Sequence, residues 1–174
     1  ASVKAVEYLL KHNPYDGVVI FGNLYKHNDI MYNVSFVIQK NEILGIIPKY
    51  YLPQTREFHE SRWFGSGVNI VDTVKEVSYL GKTVPFGKLL FTNKEEDAVF
   101  GVEVCADLWA PASPHEELYS NGAIIVFNNS ASNGYIGKEK LRQLIVTSAS
   151  YKWNAAYVYV SNNASESTSE VVFT

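Results

Sequence analysis

The spacing of apolar residues predicts three helices. In the first, Val3, Val6 and Leu10 share one face, and the pair Asn13-Pro14 ends the helix. A second, short helix begins near Ser113, which takes the N-cap position with a proline at the first helical residue. The third helix covers 137–153. Its most regular face is formed by Leu141, Leu144, Ile145, Ser148 and Ala149.

Short apolar runs bounded by turn residues predict the strands. Their ranges are 18–22, 32–39, 43–48, 84–92, 98–105, 123–127, 156–160 and 171–173. The hairpin turn 40–42 separates the second run from the third, and the acidic turn 93–97 separates the fourth from the fifth. The range 49–72 is predicted to be irregular, and a long irregular stretch inside a compact domain is typical of a functional segment. Because helices alternate with buried strands, we expect an α/β protein in which helices cover sheets.

Composition narrows the class of protein. The chain has 174 residues, 47% of them hydrophobic, which suits one domain with a real core. Acidic residues outnumber basic ones by 18 to 15 and Lys and Arg form no cluster, so we expect no nucleic-acid partner. No run of 18 apolar residues and no signal peptide is visible, so we expect no membrane partner. The single cysteine suits a reducing compartment, and we expect a cytoplasmic protein.

Cys105 is the first candidate for chemistry. It ends the apolar run 99–104, and a nucleophile at a strand end before a sharp turn projects into a cleft beside backbone N–H groups. Those N–H groups could stabilise an oxyanion. A buried, inert cysteine is the alternative interpretation, and it is the commoner fate of a lone cysteine.

Lys49 is the second candidate, because it ends the apolar run 43–48. A buried ammonium there could stabilise a tetrahedral oxyanion, whereas the alternative is a solvated strand end. Glu57 and Glu60 are three residues apart, and either could pair with Lys49 or form a surface salt bridge. His115 is conceivable as a partner of Cys105, although its spacing does not favour the pair.

Metal and nucleotide sites are not predicted. The four histidines are scattered, and no cluster has the spacing of metal ligands. The stretch Gly134–Lys138 resembles a phosphate loop only superficially, because it lacks the Gly-x-x-x-x-Gly-Lys-Ser/Thr spacing.

Four ordered motifs resemble one known family over essentially the whole chain. Gly45–Pro53 with Glu57–Phe64 resembles the lysine segment of the nitrilase, or carbon–nitrogen hydrolase, superfamily. Phe100–Pro111 is similar to the cysteine segment of one branch, the glutaminase domain of glutamine-dependent NAD synthetase. The later motifs of that branch are matched in order by Asn128–Ser132 with Gly137, Lys138 and Arg142, by Ala155–Tyr159, and by Ser165–Thr168.

The resemblance implies a four-layer αββα sandwich, here a single partial domain over 1–174, that hydrolyses the glutamine amide. Cys105 matches the nucleophile that forms a glutamyl thioester, Lys49 the lysine that stabilises the tetrahedral intermediate, and Glu60 a supporting carboxylate. The backbone N–H of Ala106 would complete the oxyanion hole. Three further residues match those that hold or line the glutamine pocket, namely Trp109, Ser132 and Lys138. No cofactor is implied for this chain, because ATP and deamido-NAD would bind a separate synthetase domain that uses the released ammonia.

The chain also departs from the family pattern. The glutamate of the family's Glu/Lys/Cys triad would lie upstream of the first helix, so we expect residues 1–174 alone to be nearly inactive. Ala106 stands where the family usually has glutamate, and Thr55 where the branch often has an aromatic residue. Losing a charge-assisted contact at position 106 would weaken glutamine binding about 10- to 100-fold. Because the family's glutamate strand is central, its absence would leave two sheet edges unpaired, and we expect marginal stability or a homo-oligomer.

Three functions therefore stay open. The chain is a glutaminase part of a glutamine-dependent NAD synthetase, or a folded remnant that has kept its shape without turnover, or a nitrilase-family amidase acting on another small amide. Ser132 and Lys138 suit an amino-acid head group and argue against the third. The truncation and Ala106 together suit the second.

Overall fold

The computed structural model describes residues 2–55, 57–163 and 172–173. In this part of the chain the helices are α1 (Ser2–His12), α2 (Pro114–Ser120) and α3 (Lys138–Trp153). The strands are β1 (Val18–His27), β2 (Ile30–Gln39), β3 (Glu42–Pro48), β4 (Glu76–Tyr79), β5 (Lys82–Pro85), β6 (Leu90–Asn93), β7 (Ala98–Val104), β8 (Ile125–Ser130) and β9 (Ala156–Ser161).

Two sheets face each other at the centre of the molecule. The first is antiparallel with the order β1-β2-β3, and the second has the order β6-β7-β8-β9. Apolar side chains fill the space between the sheets, where Val37 and Ile47 of the first sheet cluster with Phe91 and Val102 of the second. The sheets therefore form a sandwich with its own core.

Helices cover both outer faces of the sandwich. On the first sheet, Val6 of α1 packs in a cluster with β2, β3 and the β4–β5 hairpin, whose members include Phe36 and Phe86. On the second sheet, Leu118 of α2 packs on Val126 of β8. The predicted α/β class and four-layer αββα arrangement are confirmed.

Most predicted elements are present with shifted ends. The hairpin turn near 40–42, the irregular stretch after Pro48 and the acidic turn before Ala98 lie where they were expected. Ser113 occupies the N-cap position of α2, but its hydroxyl donates to the carbonyl oxygens of Leu108 and Ala110 instead of accepting from the helix.

The single strand predicted over 84–92 is wrong. Phe86 forms a bridge with Ile46 of β3, and the N–H of Gly87 donates to the Ile46 carbonyl at 3.1 Å. Gly87 has a φ of +134°, a conformation that glycine adopts readily, so the chain turns there and passes from β5 to β6. The sequence prediction also missed β4, although its inward residues Val77 and Tyr79 alternate with exposed ones.

Two other expectations concern the end of the chain and α3. The motif Ser165–Thr168 and residue 171 of the last predicted strand lie outside the described residues. Within that predicted strand, Phe173 forms an isolated bridge with Asn133.

The predicted face of α3 is mostly not buried in this chain. Leu141 is 42% exposed and Leu144 65% exposed, whereas Ala149 is buried.

The parallel part of the second sheet positions the candidate site. Strands β7, β8 and β9 run in the same direction, so the segments that follow them meet at one end of the sheet. Cys105 follows β7 directly, Ala131 follows β8, and Asn162 follows β9. Pro48, the last residue of β3, places Lys49 beside this end, because β3 packs against β7.

Candidate active site

Cys105 begins a 3₁₀ turn, Cys105–Trp109, immediately after β7. Its φ is +51°, a left-handed conformation that is uncommon for a residue with a side chain. The thiol is half-buried and free of any disulfide. Such strained backbone at a strand end is a recurrent feature of functional sites, and here the surrounding hydrogen bonds hold it in place.

Asp107 ties the cysteine turn to the lysine segment. One carboxylate oxygen accepts from the backbone N–H groups of Tyr50 and Tyr51 at 3.0 and 2.8 Å, and the other accepts from Val104 N–H at 3.0 Å. Burial raises the pKa of Asp107 to about 8, while the N–H groups of Tyr51 and Val104 oppose the rise. The residues next to Lys49 and next to Cys105 thus share one buried carboxyl group.

A second buried group holds Cys105 from the neighbouring strand. The side-chain amide of Asn128 on β8 accepts from Cys105 N–H and donates to the Cys105 carbonyl. Behind it, the carboxylate of Glu103 accepts from Asn128, from His115 and from the Tyr157 hydroxyl. Burial, followed by the negative charge of Glu103, raises the pKa of Tyr157, so this phenol remains a donor.

Lys49 is fully buried and paired with Glu60. Its Nζ donates to Glu60 Oε1 at 2.6 Å, and the side-chain exposures are 1% for the lysine and 17% for the glutamate. The backbone of Lys49 is fixed on both sides, since its N–H donates to Asn33 and its carbonyl accepts from Gly67. The sequence left Glu57 and Glu60 as equal candidates for this pair, and the structure selects Glu60.

Cys105 lies between two cavities. The larger one, about 520 Å³, is also lined by Lys49 and Glu60. Its walls include Ile20–Gly22 from the edge strand β1, Val160 and Ser161 from the edge strand β9, and Asn162, which follows β9. In the described part of the chain neither β1 nor β9 has a strand partner on its outer side.

The smaller cavity, about 320 Å³, contains the four residues predicted to bind substrate. Ala106, Trp109, Ser132 and Lys138 all line it together with Cys105. Thr55 also lines this cavity. The structure therefore brings the other six predicted site residues around Cys105, with Lys49 and Glu60 at the larger cavity and the four substrate-binding candidates at the smaller one.

Polar groups of the smaller cavity are held by neighbours. Lys138 Nζ donates to Asn133 Oδ1 and lies 5.8 Å from the centre of the Trp109 ring. The amide of Asn133 in turn donates to Glu57, so Glu57, which does not pair with Lys49, belongs to this cluster. Ser132 Oγ accepts from Arg142 at 3.3 Å. A cation and a carboxylate thus lie near one another at the smaller cavity.

Several alternatives from the sequence are not supported by the geometry. His115 bonds Glu103 through Nδ1 and its backbone N–H, so the conceivable pair with Cys105 is not formed. Among the described residues no three His, Cys, Asp or Glu side chains form a metal-binding group. None of the helices in the described ranges combines the length and the apolar character that crossing a bilayer requires.

Sequence reasoning missed the groups that hold the site. Three of these groups lie within the motifs Phe100–Pro111 and Asn128–Ser132, but the motifs predicted no role for them: Glu103, Asp107 and Asn128. The signal that could have found Glu103 is its position inside an apolar run, since a buried carboxylate requires partners. No signal in the sequence shows that Asn128 pairs with Glu103 across β7 and β8.

The arrangement can stabilise negative charge next to a nucleophile. When a thiolate adds to a carbonyl carbon, charge develops on the oxygen, and a buried ammonium such as Lys49 stabilises it strongly because solvent is excluded. The N–H groups at the start of the 3₁₀ turn, following Cys105, are a second source of stabilisation. Together these features suit acyl transfer from an amide to Cys105.

Comparisons with known proteins agree with this chemistry. Residues 10–173 match the family model described as carbon-nitrogen hydrolase. The glutamine-dependent NAD(+) synthetase of Mycobacterium tuberculosis (strain ATCC 25618 / H37Rv) is 35% identical over 158 residues, or 90% of this chain and 23% of that protein. The mouse glutamine-dependent NAD(+) synthetase is 31% identical over 139 residues, or 76% of this chain and 19% of that protein.

A solved structure shows the same architecture. The crystal structure of a glutamine-dependent NAD(+) synthetase from Cytophaga hutchinsonii matches with a TM-score of 0.77 and 26% identity, covering 94% of this chain and 26% of that one. The chain thus spans about a fifth to a quarter of the length of these relatives. The resemblance identified from the motifs is confirmed, and the match over nearly all of its length shows that this chain belongs to the carbon–nitrogen hydrolase family, a family of enzymes.

Proposed function

We propose that this chain is the glutamine-hydrolysing part of a glutamine-dependent NAD synthetase. One observation carries the proposal: Cys105 is shared by a cavity that holds the Lys49–Glu60 pair and a cavity that holds Trp109, Ser132 and Lys138. The first provides charge stabilisation next to the thiol. The second provides a cation and a hydroxyl for the amino-acid end of a substrate.

The reaction has two halves. The thiolate of Cys105 attacks the side-chain amide carbon of glutamine, and the carbonyl oxygen becomes an oxyanion held by the Lys49 ammonium and the Ala106 N–H. The C–N bond then breaks, the nitrogen takes a proton and leaves as ammonia, and a glutamyl thioester remains on Cys105. Water cleaves the thioester, giving glutamate and restoring the thiol.

Glu60 acts in this scheme through Lys49. Its Oε1 accepts from the lysine Nζ and fixes the ammonium in the wall of the larger cavity. Among the described residues that line this cavity, Glu60 is the one carboxylate, and it is already paired with Lys49. We therefore expect slow turnover from residues 1–174 alone, because general acid–base help is worth about 10²–10⁴ in rate.

The remaining assignments rest on the relatives. They are glutamine-dependent NAD(+) synthetases, so we propose that ammonia released here serves NAD synthesis in a synthetase domain that binds ATP and deamido-NAD. Residues 1–174 form one domain in this proposal. The cytoplasmic location expected from the single cysteine and the expected homo-oligomer stay predictions.

The experiment that tests the proposal is covalent labelling with a chloroketone analogue of glutamine, followed by intact mass. The thiolate displaces chloride to form one S–C bond, so one adduct is expected on the 19.5 kDa chain. Cys105→Ala abolishes the adduct, and Lys49→Met slows its formation at least 10-fold. Glutamine in excess protects, whereas acetamide at the same concentration does not.

Three results would contradict the proposal. Protection by acetamide equal to that by glutamine would favour an amidase for another small amide. No adduct, while iodoacetamide still labels Cys105, would favour a folded remnant without a glutamine site. An adduct that persists in Cys105→Ala would show that the thiol is not the nucleophile.

A further inference from the structure

Asn128 holds both backbone polar groups of the candidate nucleophile. Its Oδ1 accepts from Cys105 N–H at 3.1 Å, and its Nδ2 donates to the Cys105 carbonyl oxygen at 3.2 Å. Asn128 is fully buried and lies one strand away on β8. A single side-chain amide thus takes the place of the strand partner that Cys105 loses where β7 ends.

The orientation of this amide is fixed by its other neighbours. Nδ2 also donates to Glu103 Oε1 at 3.3 Å and to the Tyr157 hydroxyl at 3.0 Å. Glu103 Oε1 accepts from this amide, so the NH₂ group is required on its side. Rotating the amide by 180° would also place that NH₂ against Cys105 N–H, with two donors facing each other.

The bond to the Cys105 carbonyl also orients the next N–H. In a trans peptide the C=O of one residue and the N–H of the next point in opposite directions. Holding the Cys105 carbonyl towards Asn128 therefore turns the Ala106 N–H away from it. Cys105 and Ala106 line the smaller cavity, whereas Asn128 lines neither cavity.

We propose that Asn128, oriented by Glu103, is a positioning residue that locks the left-handed Cys105 and directs the Ala106 N–H towards the reacting carbonyl oxygen. This inference rests on the proposed glutamine hydrolysis, in which that N–H stabilises the oxyanion. Glu103 acts one step further back, because it fixes the amide of Asn128 and does not contact the substrate cavities.

The test separates binding from reaction. For the chloroketone analogue, the affinity constant KI reports on the pocket, whereas the maximal rate kinact reports on the placement of the thiol and the N–H donor. Asn128→Ala is expected to lower kinact at least 10-fold and to change KI less than threefold. Asn128→Asp keeps the shape and the acceptor for Cys105 N–H but has no NH₂ group, and any proton it carries is shared with the facing Glu103 carboxyl. The Cys105 carbonyl therefore loses its donor, so this variant gives the same loss and carries the test if the alanine variant unfolds.

Tyr119→Phe is the matched control. The Tyr119 hydroxyl donates to the Ala156 carbonyl at 2.7 Å, so the change also removes one partly buried hydrogen bond without touching the cysteine turn. We expect its kinact to stay within twofold of the parent value. Glu103→Gln should lower kinact, and adding it to Asn128→Ala should cause no further loss, because the two act in series.

The outcomes distinguish this inference from the proposed function. A kinact within threefold of the parent in both Asn128 variants overturns the positioning role and leaves the function intact. If the parent itself is not alkylated, the function fails, and hydrogen exchange then decides the positioning role. In that case the Cys105 N–H, which donates to Asn128, should exchange at least 10-fold faster in Asn128→Ala, with Val102 unchanged, and equal exchange overturns the role.

Discussion

The carboxyl group of Asp107 gives the sharpest physical prediction. It is completely buried and accepts three backbone N–H groups, two from the residues after Lys49 and one from Val104. Replacing it with asparagine keeps one oxygen for Tyr50 and Tyr51. The new NH₂ group then faces Val104 N–H, so that buried donor loses its acceptor, at a cost of about 1–3 kcal/mol in the free energy of unfolding.

The buried carboxyl also makes stability depend on pH. Burial raises the pKa of Asp107 from an ordinary 3.8 to about 8 in the folded chain. Between these values the folded chain holds a proton that the unfolded chain has released, so the contribution of Asp107 is fully present below about pH 4 and is lost as the pH rises through about 8. The expected slope is a loss of about 1 kcal/mol per pH unit between about pH 5 and 7.

Urea unfolding followed by tryptophan fluorescence at half-unit steps from pH 5 to 8 measures this slope. The parent should lose stability as the pH rises, and Asp107→Asn should show a flatter curve that lies closest to the parent at pH 8. Asp16→Asn, at an exposed position, is the matched control and should keep the parent's slope. Equal slopes for the parent and Asp107→Asn would refute the argument that this buried carboxyl titrates near neutral pH.

Three further predictions address packing, recognition and assembly. In Gly101→Ala the added Cβ would lie 2.7 Å from Leu118, so urea unfolding should show a loss of about 1–3 kcal/mol, whereas Gly22→Ala, with open space at its Cβ, should lose less than about 1 kcal/mol. Lys138→Met should raise KI for the chloroketone about 10-fold with kinact within threefold, and an unchanged KI would remove Lys138 from the pocket. Light scattering on a sizing column should give a multiple of 19.5 kDa that falls in Leu144→Lys, and a 19.5 kDa parent would contradict the expected homo-oligomer.

Local patterns in the sequence predicted that Cys105 and Lys49 lie at strand ends, whereas the pairing of distant segments decided other parts of the fold. Cys105 and Lys49 each follow an apolar run, so their positions at strand ends were readable from neighbours in the chain. The break at Gly87 was not, because it depends on Phe86 pairing with Ile46, 40 positions earlier in the chain.

The support behind the site was invisible for the same reason. Glu103 and Asn128 lie opposite each other in the parallel pairing of β7 and β8, and nothing in a single sequence fixes that register. The direction of Asn128 then depends on a third strand, through Tyr157 on β9. The exposed face of α3 is a different case, since a helical period shows which residues share a face but not what covers it.

In the sheet that contains β7, β8 and β9, the residues that pair the strands are different from the residues that line the smaller cavity. The ladder hydrogen bonds of β7 end before Cys105, while the groups that line the smaller cavity stand on segments outside the strands. A substitution such as the alanine at 106 therefore changes the chemistry of the pocket with little cost to the sheet. Side chains at this rim can therefore be exchanged, with the pocket altered, while the strands beneath them remain folded.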